Sequence, residues 1–372
     1  MKLIPLANVS NALQPGCLLP WGVRDANGTL LLSRGHVLFD SKDIEALLER
    51  GVYVDELESS KVNSQSEPPT QESMAMLWSV SEARLGAILK AVNAPLFLAR
   101  LNDSIGKILK LPAGNVDLMM FLIMRNDRSQ LSNYGVLHSL QTAAICSLLS
   151  KRMGWDEAKR TSMIGAALTM NIAMLDLQGS LAAHKGAPTN LERQEIDRHP
   201  SLGAELLRAA GLTDTDWLQA VEQHHEVTGG TGYPNKLAAP TEMARMLRFV
   251  DTFLAKHSPR LGRGAQPSQK AARDLFTDSG GDPLAGLIIK EFGIYPPGTY
   301  VKLASGEVAV VTLRGAAANT PIVMAITNKN GDPLALPSRR DTALSVNAKI
   351  ISTVDEKSIR VRHSAESLYE RV

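Results

Sequence analysis

Cysteine is scarce in this sequence. Cys17 and Cys146 are its only cysteines among 372 residues, and neither belongs to a CxxC pair. This usage is typical of a reducing compartment and argues against a disulfide-stabilised secreted protein. Long apolar runs are also missing, and because a membrane-spanning helix needs about 18 or more of them in succession, we expect no such span. The stretch from Met1 to Val9 is too short and too broken for a secretory signal, so we expect a cytoplasmic protein.

The sequence also lacks an excess of either charge. Its 40 lysines and arginines nearly balance 38 acidic residues, leaving a formal net charge of +2. A protein that binds duplex nucleic acid needs a dominant basic surface, so this balance argues against that class of partner. What the chain does have is 44% hydrophobic residues, enough to bury a substantial core in two or three domains.

The fold class that the pattern predicts is mainly α, a helical bundle with a small α/β module before it and a β-rich tail after it. A turn signal at Asp25-Ala26-Asn27-Gly28 favours a hairpin near the N-terminus, and the polar stretch around Pro68-Pro69 is typical of a linker. We predict four parts: a small β-rich module at 1–58, a linker at 59–75, the helical domain at 76–260, and a helix with a β-rich region at 261–372.

Apolar residues at three- and four-residue spacing define the helices of the central part. We predict helices at 76–93, 95–110, 114–126, 132–153, 156–175, 191–197, 201–210, 214–224 and 241–256. After an exposed basic loop that includes Arg260-Leu261-Gly262-Arg263-Gly264, we predict a helix at 283–292. Strands are then predicted at 300–303, 308–313, 322–327 and 348–352.

Two adjacent histidines mark the stretch that carries the most chemistry. His224 and His225 end a helix on which His224 shares an apolar face with Trp217 and Val221, and a glycine-dense loop ending in Tyr233-Pro234 follows. Imidazoles beside a backbone that can approach a ligand closely form a metal or phosphate site in one interpretation. In the other, they are buried polar side chains that are satisfied by hydrogen bonds.

The string His224-His225-Glu226 followed by Gly230-Thr231-Gly232-Tyr233-Pro234 resembles the signature of the HD-GYP family, although Gly229 stands where the family has an acidic residue. That family comprises metal-dependent phosphodiesterases that open the bacterial second messenger cyclic di-GMP. The resemblance implies an HD-type helical bundle over residues 76–260. It also implies a metal pair held by histidines and carboxylates, with a bridging hydroxide.

Carried over position by position, the resemblance implies metal ligands at His138, His199 and Asp251 besides the signature pair. A carboxylate in the apolar stripe that Asp251 occupies needs a cation or a hydrogen-bonding partner, and the sequence leaves both open. Tyr134 stands where some family members have a glutamate that binds a third metal ion, so we expect no third ion.

The family's histidine, bridging aspartate and lysine are replaced here by Met170, Asn171 and Met174. A thioether is a poor ligand for the harder ions expected at such a site, and a neutral amide supplies no charge to bridge two cations. We therefore expect no intact catalytic centre. At most, one transition-metal ion (iron, manganese or zinc) binds the remaining ligands.

Three hypotheses follow. In the first, the protein is a catalytically silent HD-GYP homologue that senses cyclic di-GMP or docks a signalling protein in that pathway. The resemblance implies that the Gly-Tyr-Pro part of the loop contacts a partner, and we expect Gly230, Gly232, Tyr233, Pro234 and Lys236 to form a ligand or partner loop. In the second, it is a phosphodiesterase with a reduced metal site. In the third, it is a helical adaptor resembling the metal-free HDOD domains.

Overall fold

The computed structural model describes residues 2–13, 19–28, 30–32, 41–59, 74–111, 114–125, 131, 133–258, 260–261, 264, 266–359 and 363–369. The chain forms two compact units, Met1–Arg84 and Leu85–Val372. Most of the expected linker lies outside the described residues, so the four-part division stays a prediction. Within the described part of the chain, no helix has the length and apolar character needed to cross a membrane.

The first unit contains a small antiparallel sheet, as the sequence predicts, together with a 3-10 helix (Leu6–Ala12) and α-helices. Its strands are β1 (Leu3–Pro5), β2 (Val23–Arg24), β3 (Leu30–Leu32) and β4 (Tyr53–Asp55), in the order β1-β4-β2-β3. The expected hairpin turn joins β2 to β3, and the Gly28 N–H donates to the Asp25 carbonyl at 3.0 Å. Helix α1 (Ser41–Glu49) packs into the same core, in which Trp21, Val23 and Val54 are fully buried.

Helices dominate the rest of the chain, which confirms the mainly α class. They are α2 (Met74–Leu89), α3 (Phe97–Lys110), α4 (Val116–Met124), α5 (Tyr134–Arg152), α6 (Glu157–Thr169), α7 (Leu175–Ala183), α8 (Asn190–Ala209), α9 (Thr215–Gln223), α10 (Glu242–His257), α11 (Ser268–Asp278), α12 (Pro283–Phe292) and the short α13 (Ala365–Tyr369). Asp156 and Thr241 cap α6 and α10, because their side-chain oxygens accept backbone N–H groups of the first turn.

The structure corrects the predicted helices at three places in the chain. The helices expected at 191–197 and 201–210 are one continuous helix, α8, which passes through Pro200. The helix expected at 156–175 ends at Thr169, and a 3-10 turn (Ile172–Met174) leads into α7, which the sequence did not predict. The glycine- and proline-rich stretch before residue 283 contains α11, because Ala271 and Leu275 give it a buried face.

The C-terminal part is a five-stranded antiparallel sheet with the order β8-β7-β6-β5-β9. Its strands are β5 (Tyr300–Leu303), β6 (Val308–Leu313), β7 (Ile322–Thr327), β8 (Pro333–Asp341) and β9 (Ile350–Thr353). Strand β8 was not predicted, since Pro333 and Pro337 disfavour a strand and the polar run from Ser338 to Asp341 gives no apolar alternation. Arg314, after β6, ties the sheet to the helices through ion pairs with Asp117 and Glu291.

Helices α5, α6, α8, α9 and α10 surround the candidate site. The Trp217 indole of α9 packs on α6, where its Nε1–H donates to the Thr169 hydroxyl at 2.8 Å. This close packing depends on Gly165, because a Cβ there would lie 2.4 Å from the Trp217 ring. The buried stripe of Trp217 and Val221 confirms the apolar face predicted for α9 and places His224 at its end.

We predict opposite effects for two glycine substitutions within helices. Gly165→Ala should destabilise the protein by about 1–3 kcal/mol, since Trp217 must move to admit a methyl group. Gly106→Ala, in α3, meets nothing within 4 Å and should stabilise it by about 0.5–1 kcal/mol. Urea unfolding of both variants measures the difference, and equal stabilities would show that the α6–α9 contact is looser than described.

Candidate metal centre

His199 and His224 face each other in the interior of the bundle. His199 lies in the middle of α8 and is 1% exposed, while His224 follows the last residue of α9 and is fully buried. Their Nε2 atoms are 3.1 Å apart. The structure therefore brings together two histidines that lie 25 residues apart in the sequence.

The proton of each ring is fixed on Nδ1. His199 Nδ1 lies 2.5 Å from the Ile196 carbonyl oxygen, and His224 Nδ1 lies 2.6 Å from that of Val221. Because a carbonyl oxygen only accepts, each Nδ1 carries a hydrogen and donates it. In the neutral rings, both Nε2 atoms then present lone pairs to each other, and neither can donate to the other.

Burial keeps these rings neutral. It lowers the pKa of His199 to about 3, with His224 adding to the effect, and it also lowers the pKa of His224. The pKa of His225 is held well below its ordinary value by burial and by His224. At neutral pH the three imidazoles therefore offer unprotonated nitrogens, the form that binds metal ions.

His225 completes a set of three. One nitrogen from each of His199, His224 and His225 lies within 4.8 Å of the other two. Two nitrogens bound to one ion at about 2.0–2.1 Å lie roughly 2.9–3.4 Å apart, which matches the His199–His224 distance. A backbone carbonyl on the second ring nitrogen is also the usual arrangement for a metal-binding histidine. The residues therefore fit a single ion, and three imidazoles suit zinc or iron.

The glycine-rich loop packs against this centre instead of standing free. The Tyr233 ring is stacked on His225, with centroids 4.6 Å apart and planes within 16°. Glu226 is 1% exposed, and its carboxylate accepts backbone N–H groups of Asn235 at 2.6 Å and Leu237 at 2.9 Å. Gly232 has no room for a side chain, because a Cβ would lie 2.4 Å from the Val227 nitrogen. The loop therefore supports the third histidine.

His138 and Asp251 form a separate pair. His138 Nε2 lies 2.6 Å from Asp251 Oδ1. Burial opposes ionisation of Asp251, but the hydrogen bond from His138 holds the pKa of the carboxyl below its ordinary value. The Tyr134 ring stacks on His138 at 5.6 Å. A histidine thus satisfies this carboxylate, which the sequence left open between a cation and a hydrogen bond.

Met170, Asn171 and Met174, which the resemblance aligns with polar residues of the family, lie close together between α6 and α7. Met170 is fully buried, and both Asn171 and Met174 line a pocket of about 530 Å³ that also contains His138, His225 and Asp251. The amide oxygen of Asn171 is buried without a partner. A neutral amide and one thioether therefore line this side of the pocket, while Met170 lies in the core.

The same pocket contains polar groups that the sequence did not single out. Arg260, expected to be merely an exposed basic residue, donates to the Tyr134 hydroxyl at 3.0 Å and lies over its ring. Arg193 also lines the pocket. Four buried atoms there have no hydrogen-bond partner: His138 Nδ1, Asn171 Oδ1, Gln178 Oε1 and Arg260 Nε. A partnerless buried polar atom is costly unless a ligand or water satisfies it. These pocket residues are far apart in the sequence, so only the folded structure shows that they line the same pocket.

Comparison with curated proteins identifies relatives of the helical region. Residues 119–282 match the family model described as HD domain. The chain is 26% identical over 234 residues to the cyclic di-GMP phosphodiesterase PA4108 of Pseudomonas aeruginosa, covering 62% of this chain and 54% of that protein. It is 28% identical over 108 residues to the cyclic di-GMP phosphodiesterase PdeB of Borreliella burgdorferi, covering 29% and 28%. The chain thus spans about half the length, or less, of these relatives.

A solved structure supports the same fold. Bd1817, described as a HDG"Y"P protein from Bdellovibrio bacteriovorus, superposes with a TM-score of 0.51 at 16% sequence identity, covering 77% of this chain and 97% of that one. An identity this low shows the fold alone. The chain therefore contains an HD domain, at residues 119–282, that is homologous to cyclic di-GMP phosphodiesterases.

Proposed function

We propose that this protein holds one metal ion at His199, His224 and His225 and binds cyclic di-GMP, or a similar cyclic dinucleotide, in the adjoining pocket without hydrolysing it. The observation that carries the proposal is the pair of opposed Nε2 lone pairs beside an open, arginine-lined pocket. The named activities of the relatives supply the ligand class. Arginine side chains favour phosphate groups through charge-assisted hydrogen bonds.

The absence of hydrolysis is argued from the charges around the pocket. Two-metal phosphodiester hydrolysis needs carboxylates that hold both cations and neutralise their repulsion. Among the described lining residues, Asp251 is the single carboxylate, and it is bonded to His138. Asn171 brings no charge, and Met174 brings no cation to the phosphate. A second ion therefore has no adequate site.

We expect purified protein to bind one equivalent of Zn²⁺ or Co²⁺. His224→Gln should weaken binding at least about 100-fold, because it removes one of three ligands from a buried site. His257→Gln is the matched control, since His257 is also a buried histidine in α10 but lies outside the triad. Metal analysis and competition with a chromophoric chelator measure both variants. An equal loss of metal affinity in His224→Gln and His257→Gln would show that His224 acts by stabilising the fold and is not a metal ligand.

Cyclic di-GMP should bind without turnover. Isothermal titration calorimetry should give a measurable Kd for the wild-type protein, while chromatography should detect neither linear dinucleotide nor GMP. Arg260→Ala should weaken binding about tenfold or more, because it removes a charge-assisted contact. Lys90→Ala, an exposed lysine that is absent from the pocket lining, is the control. Product formation by the wild-type protein would overturn the proposed inactivity.

A reduced one-metal phosphodiesterase is the second candidate. It is favoured by the relatives' named activity and by the retained pair of His138 and Asp251. A triple variant, Met170→His with Asn171→Asp and Met174→Lys, separates the two. If the wild type is inactive for want of a bridging acid, this variant should take up a second ion and gain turnover. A wild type that already turns over, unchanged by the triple variant, would favour the second candidate.

Docking of a signalling protein on the glycine-rich loop stays a prediction. Tyr233 supports His225, so replacing it would disturb the metal centre as well as any docking surface. Lys236→Glu is the cleaner test, because Lys236 is exposed. If a partner docks there, this variant should lose partner capture while its metal content stays unchanged. The metal-free adaptor hypothesis would instead predict neither metal nor nucleotide binding.

A further inference from the structure

Pro200 lies in the middle of the 20-residue helix α8, where proline is expected least. Proline has no N–H to donate to the carbonyl four residues earlier, and its ring crowds that carbonyl. The sequence pattern accordingly predicted a helix break at this point. The helix nevertheless continues on both sides of a buried Pro200, so the local loss must be offset by something in its surroundings.

The carbonyl that Pro200 leaves without a helical donor belongs to Ile196. His199, the residue just before the proline, lies 2.5 Å from that oxygen through its Nδ1. The imidazole thus takes the acceptor that a backbone N–H would otherwise occupy. Because Nδ1 holds the hydrogen, Nε2 is left as a lone pair directed at His224.

His224 makes the same kind of hydrogen bond at the end of a helix. Helix α9 ends at Gln223, so the Val221 carbonyl lies among the last carbonyls, which have no helical donor. His224 Nδ1 occupies it at 2.6 Å. In both rings the tautomer is fixed by a helix carbonyl that lacks its usual N–H donor. For His199 the donor is missing because of Pro200, and for His224 because the helix ends.

We infer that Pro200 is a positioning residue of the metal centre: by leaving the Ile196 carbonyl free, it fixes the Nδ1–H tautomer of His199 and presents Nε2 to the metal ion. This inference rests on the metal site proposed above. Its structural part concerns only the tautomer, which exists with or without metal.

The test is Pro200→Ala in the full chain. Alanine restores an N–H that competes with His199 for the Ile196 carbonyl. In the metal-free protein, long-range ¹H–¹⁵N spectra should show His199 as the Nδ1–H tautomer in the wild type and as a mixture in the variant. Pro283→Ala is the control, because Pro283 lies in the first turn of α12, where no helical N–H is required. It should leave the His199 signals unchanged.

The metal affinity provides the second measurement. Pro200→Ala should bind Co²⁺ about tenfold or more weakly, the usual effect of losing an outer-sphere partner. Its metal-free form should melt at the same or a higher temperature, because alanine suits a helix better than proline. If Pro200 had only a structural role, Pro200→Ala would show this melting temperature and keep the Co²⁺ affinity of the wild type.

Two outcomes would overturn the inference. An unchanged His199 tautomer in Pro200→Ala would show that the carbonyl accepts both donors, and an unchanged Co²⁺ affinity would show that the tautomer does not govern binding. If instead the wild type binds no metal while the tautomer still responds to the substitution, the proposed metal function fails and the role of Pro200 in fixing the ring stands.

Discussion

The site depends on two nitrogen lone pairs that face each other in the buried interior of the bundle. His199 and His224 each donate the hydrogen on Nδ1 to a backbone carbonyl. Their Nε2 atoms, which carry no hydrogen, lie 3.1 Å apart. Two acceptors at that distance repel each other unless something positive lies next to both. A proton is disfavoured because burial depresses the pKa of both rings. A metal ion is the remaining positive partner that buried imidazoles accept readily.

Much of the surrounding structure holds the histidine rings in this arrangement. Pro200 frees one carbonyl, and the end of α9 frees the other. The buried carboxylate of Glu226 holds the loop that carries Tyr233, whose ring covers His225. The retained Gly-Tyr-Pro string therefore has a structural explanation within the chain, and retention alone is not evidence for a docking partner.

The sequence predicted those features that depend on short spacings. Helical periodicity located most of the bundle, and local capping by Asp156 and Thr241 begins two of its helices. The predictions that concerned neighbours distant in sequence fared worse. Strand β8, for example, pairs with β7. The continuity of α8 through Pro200 is a local exception, since the His199 side chain donates to the Ile196 carbonyl only three residues earlier. The contact of Arg260 with Tyr134 joins residues 126 positions apart, which no local pattern encodes.

In the proposed function, the charges around the pocket explain how it binds an anion without holding two metal ions. Asn171 leaves Asp251 as the single acid among the described residues that line the pocket, whereas Arg193 and Arg260 remain there as cations. A second metal ion would enter a region already positive from the first ion and the guanidinium groups, with too little negative charge to hold it. The same surplus favours an anionic ligand. In the proposed function, the neutral amide of Asn171 thus favours a phosphate diester beside one metal ion over a second cation.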